Sequence, residues 1–266
     1  MAMGLCGALV VGARADERPP DPDLLNLQEG IPMRVQDAYV LPELAVEADL
    51  SVNWGYGRYY DAWSEARTQV AWGIRGGVQG VAGMRFVWNS FDRTGHEDIY
   101  LQGLKQLHQG PRDALLGGVK LNFPAGRDYA RVDTSFPGFA FTIDERRDNI
   151  DLWLTGVYTR VLDPVKGERL HAEVQYEFVN SAPQGFDSRR WFLALGYDRR
   201  VARDTLAMAS VWWETSPNWM TQDSTVLQLG LRRRQRPGLV WGLSLDLGLG
   251  WEWASHGLSA GAQYGF

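Results

Sequence analysis

The end of the chain, residues 239–266, carries the pattern that most restricts the fold. Every second residue from Leu239 to Trp251 is large and apolar, whereas the residues between them, such as Ser244, are small or polar. After a short break the alternation resumes and continues to Phe266. Because successive side chains of a strand point to opposite faces, this pattern predicts two β-strands, each with one apolar face.

In a soluble protein, such strands need a second layer of protein over the apolar face, and the last strand leaves an unpaired sheet edge. A closed barrel in a lipid bilayer removes both requirements, because lipid covers the apolar face and the last strand pairs with the first. The sequence therefore predicts an all-β fold, a transmembrane antiparallel up-and-down β-barrel in the outer membrane of a Gram-negative bacterium.

The composition agrees with a membrane barrel. The 266 residues include 12 Trp, 10 Tyr and 10 Phe, and amphipathic aromatic rings collect at membrane interfaces. The longest apolar run, residues 4–13, is shorter than the roughly 20 residues that a membrane-spanning helix needs. The formal net charge of −5 gives no reason to expect a nucleic-acid partner.

The N-terminal part of the chain is predicted to lie outside the barrel wall. Residues 1–15 are expected to be a signal peptide, because a short apolar run is followed by small residues on either side of Arg14. Residues 16–41 contain a proline cluster and show neither helix nor strand periodicity, which predicts an extended periplasmic or lumenal leader. Residues 42–266 are assigned to the barrel.

The alternation recurs along the whole of the barrel region. The predicted strands cover residues 44–54, 65–74, 78–89, 98–107, 114–123, 149–161, 168–179, 190–199, 205–214, 224–233, 239–251 and 256–266. The total is about 12, an even number as expected for a single-chain bacterial barrel. Short connections alternate with long polar ones, which predicts short periplasmic turns at one end and long external loops at the other.

The longest predicted loop, residues 124–148, mixes charged residues with three phenylalanines. Two interpretations stay open from the sequence. Either the loop folds into the barrel mouth and narrows it, or it is exposed and mobile.

Charged residues on the polar face of the strands are predicted to line the lumen. They are Glu43, Glu47, Asp49, Glu65, Arg67, Arg85, Lys105, Lys120, Asp151, His171, Glu173, Glu177, Arg190, Arg232, Asp246 and Glu252. The candidate solute-binding residues among them are Glu47, Asp49, Arg67, Arg85, Lys120, Asp151, Glu173, Glu177, Arg190 and Asp246. Acids outnumber bases, so these charges either line a weakly cation-favouring passage or brace a narrow interior.

Metal, cofactor and catalytic sites are not predicted. His96, His108, His171 and His256 are scattered, and no two have a spacing that metal binding requires. A barrel lipid hydrolase would need a serine acting with histidine, but His171 lacks the His-x-Ser arrangement sought for that chemistry. The chain is therefore predicted not to be an enzyme, with a barrel hydrolase as the third alternative.

Two stretches in the first half of the chain resemble a known family. Residues 26–39, NLQEGIPMRVQDAY, are similar to the leader of the outer-membrane transporter family named after the meta pathway of phenol degradation. Residues 97–105 and 115–126 are similar to the hairpin that precedes the large loop of that family. The resemblance implies an outer-membrane barrel that passes small organic compounds, including aromatic ones.

The sequence thus favours a channel or transporter that passes small organic solutes by passive diffusion through a charged lumen. The alternative is a plugged structural barrel whose loops carry out interactions without transport. The expected partners are outer-membrane lipid, a small-molecule solute and the barrel-insertion machinery, because the C-terminal aromatic Phe266 resembles the signal which that machinery reads.

Overall fold

The computed structural model describes residue 27 and residues 33–57, 62–89, 94–123, 150–179, 188–215, 223–249 and 254–266. The described residues form twelve strands: β1 (Val46–Gly57), β2 (Ala62–Ile74), β3 (Val78–Asn89), β4 (Thr94–Gln109), β5 (Asp113–Phe123), β6 (Asp151–Asp163), β7 (Glu168–Phe178), β8 (Arg189–Ala202), β9 (Thr205–Glu214), β10 (Ser224–Arg236), β11 (Leu239–Gly248) and β12 (Ala254–Gly265). Over these ranges, no helix has the length and apolar character needed to cross a membrane.

The sheet closes on itself. Each strand pairs antiparallel with the next one along the chain, and β1 also pairs with β12. The β1–β12 register places Ala48 opposite Tyr264 and Trp54 opposite Leu258, so the apolar face continues across the closure. The predicted fold class, a closed antiparallel barrel of about 12 strands joined through the first and last strands, is confirmed.

Exposed leucines cover the outside of the barrel. Leu229 on β10, Leu245 on β11 and Leu258 on β12 are direct cross-strand neighbours, and they are 44%, 44% and 49% exposed. Water-exposed protein surfaces seldom carry so continuous an apolar patch, whereas lipid covers such a belt on a membrane barrel.

Tight turns join strand pairs at one end of the barrel, here called the short-turn end. Gly76 and Gly77 between β2 and β3 have φ values of 75° and 69°, and Gly238 between β10 and β11 has a φ of 77°. Glycine adopts this left-handed region without the clash that a Cβ atom would cause. Both termini of the barrel, the start of β1 and the end of β12, also lie at this end.

Most strand bounds agree with the alternation in the sequence, and those of β3 and β9 are the predicted 78–89 and 205–214. The first strand was predicted to begin too early, at Leu44. That residue lies in a turn with a φ of 66° and is 84% exposed, so the strand begins at Val46. The predicted signal peptide and the loop at 124–148 lie outside the described residues.

Candidate channel lumen

Polar side chains face the interior of the barrel. Strand β7 shows the alternation most clearly, since its buried residues are Arg169, His171, Glu173, Gln175 and Glu177. Leu170 and Val174, which lie between them in the sequence, are exposed on the outside. This arrangement, with polar groups inside and apolar groups outside, is the reverse of that in a soluble protein and is typical of a membrane barrel.

All the candidate solute-binding residues predicted from the sequence lie on the inner faces of their strands. The buried ones are Glu47, Asp49, Lys120, Asp151, Glu173 and Glu177, and the partly exposed ones are Arg67, Arg85, Arg190 and Asp246. Several interact with each other or with a neighbouring strand, as Arg190 does with Glu177 at 3.6 Å. The buried Arg232 and His171 also face inward, whereas Glu252 lies outside the described residues. Solute binding by these residues stays a prediction.

Two charged residues predicted to face the lumen do not. Lys105 is exposed on the outer face of β4, because Leu104 takes the inward position and packs in an apolar cluster with Ala38. Glu43 precedes β1 and is exposed, where it pairs with Arg75 at 2.8 Å. Both residues lie near the short-turn end, and the interior around Leu104 is apolar, so polarity alone does not identify the inner face of β4.

Residues 33–41, the leader segment, run through the interior of the barrel. Their backbone N–H groups donate hydrogen bonds to side chains of the wall, from Arg34 to Gln228 Oε1 at 3.1 Å, Gln36 to Glu173 Oε2 at 3.0 Å, Ala38 to Thr159 Oγ1 at 2.8 Å and Leu41 to Gln79 Oε1 at 2.8 Å. The acceptors lie on β10, β7, β6 and β3, so the segment crosses the lumen from one wall to the other. A buried backbone donor needs a partner, and here the polar inner face supplies it.

Protein fills the lumen at the short-turn end. Each strand contributes an inward side chain there that is 7% exposed or less, in strand order Glu47, Ala71, Gln79, Leu104, Ala114, Thr159, Arg169, Asp198, Leu206, Arg232, Val240 and Gln263. The leader segment supplies the centre of this ring with Met33, Ala38 and Leu41, which are also buried and cluster with apolar members of the ring. The barrel is therefore plugged at this level in the structure.

Arg169 joins the leader segment to the wall. Its Nη1 lies 3.2 Å from Asp37 Oδ2, and its Nε and Nη2 donate to the two carboxylate oxygens of Asp198 at 3.0 and 2.5 Å. All three side chains are 1% exposed. Burial raises the pKa of the Asp37 carboxyl above its ordinary value, while Arg169 and the backbone N–H groups of Leu27 and Tyr39 oppose that rise. A buried charge cluster of this kind is stable only while every member keeps its partners.

A hydrogen-bonded chain of Thr159, His171 and Asp198 lies next to this ion pair. Thr159 Oγ1 is 2.9 Å from His171 Nδ1, and His171 Nε2 is 3.0 Å from Asp198 Oδ2. The order of groups is that of a hydrolase triad. However, the three side chains are at most 2% exposed, and the Thr159 hydroxyl accepts the Ala38 N–H. The leader segment thus covers the Thr159 hydroxyl, and the hydroxyl holds the segment in position.

Two glycines allow the chain to approach the wall closely. A Cβ atom at Gly196 on β8 would lie 2.8 Å from Val35 Cγ1, and one at Gly73 on β2 would lie 1.7 Å from the Pro42 carbonyl oxygen. Cβ contacts this short do not occur without movement of the neighbour. Any larger residue at Gly196 therefore competes with Val35 for the same space.

The half of the lumen toward the long connections, here called the long-loop half, is more accessible and carries aromatic rings. Lys120 Nζ lies 4.5 Å from the centroid of the Trp153 ring and 5.7 Å from that of Tyr100. Arg85, whose side chain is 40% exposed, faces this region and lies 3.4 Å from Glu65. Charged and aromatic groups thus line this more accessible half of the lumen.

Arg169, Asp198 and Thr159 were not among the residues predicted from the sequence. The alternation of inward and outward side chains could have identified them, because each lies on the inward face of its strand. Arg169 shares the face of the predicted His171, and Asp198 shares that of the predicted Arg190. Over the described residues, no group of three or more His, Cys, Asp or Glu side chains is placed to hold a metal ion.

Solved structures with the same fold are known. The COG4313 outer membrane channel from Pseudomonas putida F1 is 15% identical, with a TM-score of 0.66 over 86% of this chain and 98% of that one. The KdgM porin is 10% identical, with a TM-score of 0.55 over 83% and 99% of the two chains. The NanC porin is 11% identical, with a TM-score of 0.54 over 81% and 98%. No protein-family model matches the sequence, and no curated protein matches it significantly. The chain thus has the fold of bacterial outer-membrane β-barrels.

Proposed function

We propose that this protein is an outer-membrane channel for small organic solutes, and that the leader segment is a plug whose displacement opens it. The observation that carries the proposal is the way in which the plug is held. Hydrogen bonds and the ion pairs Asp37–Arg169 and Arg34–Glu214 join it to polar wall side chains, and such groups can bind water instead when the segment leaves. The similarity in fold to an outer membrane channel and to two porins supports the same class.

The composition of the long-loop half supports small organic solutes in particular. Tyr100, Trp153, Phe192 and Trp212 lie on inner faces beside charged groups, and such rings bind planar organic molecules by stacking or cation–π contacts. The resemblance to the family named after phenol degradation adds support for aromatic compounds. The excess of acids among the inward charges favours cations over anions.

The buried ring at the short-turn end favours a second candidate, a permanently plugged barrel. In that case the leader segment stabilises the wall, and the exposed loops carry the function. The two candidates differ in one property, which is whether moving the leader segment produces a pore.

Replacement of Gly196 by leucine separates them. The new side chain takes the space of Val35 and should displace the leader segment, so purified protein in planar lipid bilayers should conduct more often than the wild type. Gly103→Leu is the matched control, because Gly103 lies exposed on the outer face of β4 with open space around it.

Absence of channel events in both variants and in the wild type, with all three proteins folded, would leave the permanently plugged barrel. Liposome swelling with neutral, cationic and anionic aromatic solutes then tests the solute class. We expect the cationic and neutral compounds to enter faster than the anionic one.

A further inference from the structure

The Arg34 guanidinium occupies a pocket of aromatic and acidic side chains in the long-loop half. Its Cζ lies 4.6 Å from the ring centroids of both Phe192 and Trp212, and its Nη1 lies 2.6 Å from Glu214 Oε2. The two rings have centroids 6.1 Å apart and planes inclined at 35°, so they meet the cation from two sides. Two aromatic faces and a carboxylate are the groups that bind organic cations.

The pocket has binding capacity that Arg34 does not use. Trp212 Nε1 and the hydroxyl of Ser224 are buried, and neither has a hydrogen-bond partner among the described residues. Ser224 pairs with Glu214 across β9 and β10, and Phe192 pairs with Glu214 across β8 and β9, so all these groups belong to one patch. Buried donors without partners are rare in a folded protein, and these two are available to hydrogen-bond a further polar atom.

The pocket is also reachable from the lumen. The Arg34 side chain is 29% exposed and that of Glu214 is 24% exposed, whereas Phe192 and Trp212 are 2% and 7% exposed. The guanidinium thus covers two apolar rings and leaves the carboxylate side partly accessible. Removal of Arg34 would uncover a preformed cation site.

We propose that Phe192, Trp212, Glu214 and Ser224 form a binding subsite for a planar organic cation of the guanidinium or amidinium class, which Arg34 fills as an internal ligand. The role of this subsite in solute passage rests on the proposed channel function. A planar delocalised cation suits it better than an ammonium ion, because it is more weakly hydrated, stacks on rings and donates two parallel hydrogen bonds to a carboxylate.

Occupation by a solute has a consequence for the plug. Arg34 belongs to the leader segment, and its backbone N–H donates to Gln228 at 3.1 Å. A solute cation and the Arg34 side chain cannot occupy the same place, so solute binding and full docking of the leader segment oppose each other. By thermodynamic linkage, a bound solute weakens docking of the leader segment by the same factor as docking weakens solute binding.

Isothermal titration of methylguanidinium into the folded, detergent-solubilised protein tests the subsite directly. Arg34→Ala should bind one equivalent at least about tenfold more tightly than the wild type, in which Arg34 competes. Adding Glu214→Gln to that variant should weaken binding by about tenfold or more, because a charge-assisted hydrogen bond is lost. Methylammonium should bind Arg34→Ala more weakly than methylguanidinium does.

The control is Arg199→Ala, which removes an arginine from the outer face of β8, where it pairs with Glu168 at 3.3 Å, and should leave the wild-type affinity unchanged. If Arg34→Ala does not fold, Arg34→Gln replaces it, because glutamine keeps part of the side-chain stem. Equal affinities of the wild type and the Arg34 variant, or an unchanged affinity after Glu214→Gln, would overturn the subsite.

Conductance in planar bilayers keeps this proposal separate from the channel proposal. Current through Arg34→Ala should fall when methylguanidinium is added, and an unaffected current would overturn the role of the subsite in passage. If neither the wild type nor any variant conducts, the channel proposal fails, while the titration still decides whether the subsite exists.

Discussion

Replacement of Arg169 by leucine should release the leader segment from the wall. In the docked state Arg169 is the cation that pairs with Asp37, and both side chains are 1% exposed. In the Arg169→Leu variant, the Asp37 carboxylate would still accept hydrogen bonds from the N–H groups of Leu27 and Tyr39. It would, however, lose the cation with which it pairs. When the segment undocks, the carboxylate returns to water. The cost therefore falls on the docked state alone.

The size of the effect follows from the burial of this pair. Removal of one partner of a buried ion pair costs roughly 3 to 5 kcal/mol. At 25 °C that range corresponds to about two to four orders of magnitude in the docking equilibrium. Asp198 contributes less to the change, because it keeps His171 as a hydrogen-bond partner at 3.0 Å.

Thiol labelling measures the docked fraction. Val35→Cys is introduced together with Cys6→Ser, and the modification rate reports how often the leader segment leaves the wall, since Val35 is 3% exposed when docked. The rate should rise steeply in Arg169→Leu. Arg199→Leu is the control, because Arg199 forms a surface pair with Glu168 at 3.3 Å and its removal should change stability by about 1 kcal/mol or less. Equal labelling rates in Arg169→Leu and the wild type would refute the reasoning.

Two further predictions concern the wall and its turns. Leu245→Arg, near the middle of the lipid-facing side of β11, should lower the free energy of unfolding from vesicles by about 2 to 4 kcal/mol, whereas Leu239→Arg at the end of that strand should cost about 0 to 1 kcal/mol. Equal costs would contradict the placement of Leu245 near the middle of the bilayer. The hydrogen bond from Arg234 holds the pKa of the Asp204 carboxyl below its ordinary 3.8. The stability that this pair contributes is therefore fully present above pH 3.8, and it is lost as the pH falls through the lower pKa of the folded state. Asp204→Asn should therefore be less stable than the wild type at neutral pH and equal to it in strong acid, and a difference that grows in acid would contradict the assignment.

The wall could be predicted from the sequence because a period of two needs only local information. The alternation of Leu245 with Ser244 fixes which side of β11 faces lipid, and closure follows once both edge strands carry an apolar face. Lys105 shows where the rule fails. Its polarity suggested an inward position, but the interior at that level is filled by apolar leader residues, so Leu104 points inward instead.

The plug could not be placed from the sequence. Asp37 and Arg169 are 132 positions apart, and no local pattern joins them. The leader segment has no period because four of its backbone donors find side-chain acceptors on four different strands. Gly196 is a weak signal that could have been used, since a glycine on an inward face marks a close approach of some other part of the chain.

A disulfide between the leader segment and the wall tests the central claim most directly. A Cβ atom at Gly196 would lie 3.5 Å from Val35 Cβ, within the range of about 3.5 to 4.5 Å that disulfides require. The protein with Val35→Cys, Gly196→Cys and Cys6→Ser should show no channel events in planar bilayers when oxidised, and it should conduct after reduction. Equal conduction in the oxidised and reduced states, with the disulfide confirmed by mass spectrometry, would contradict the proposal that the leader segment is the plug of this channel.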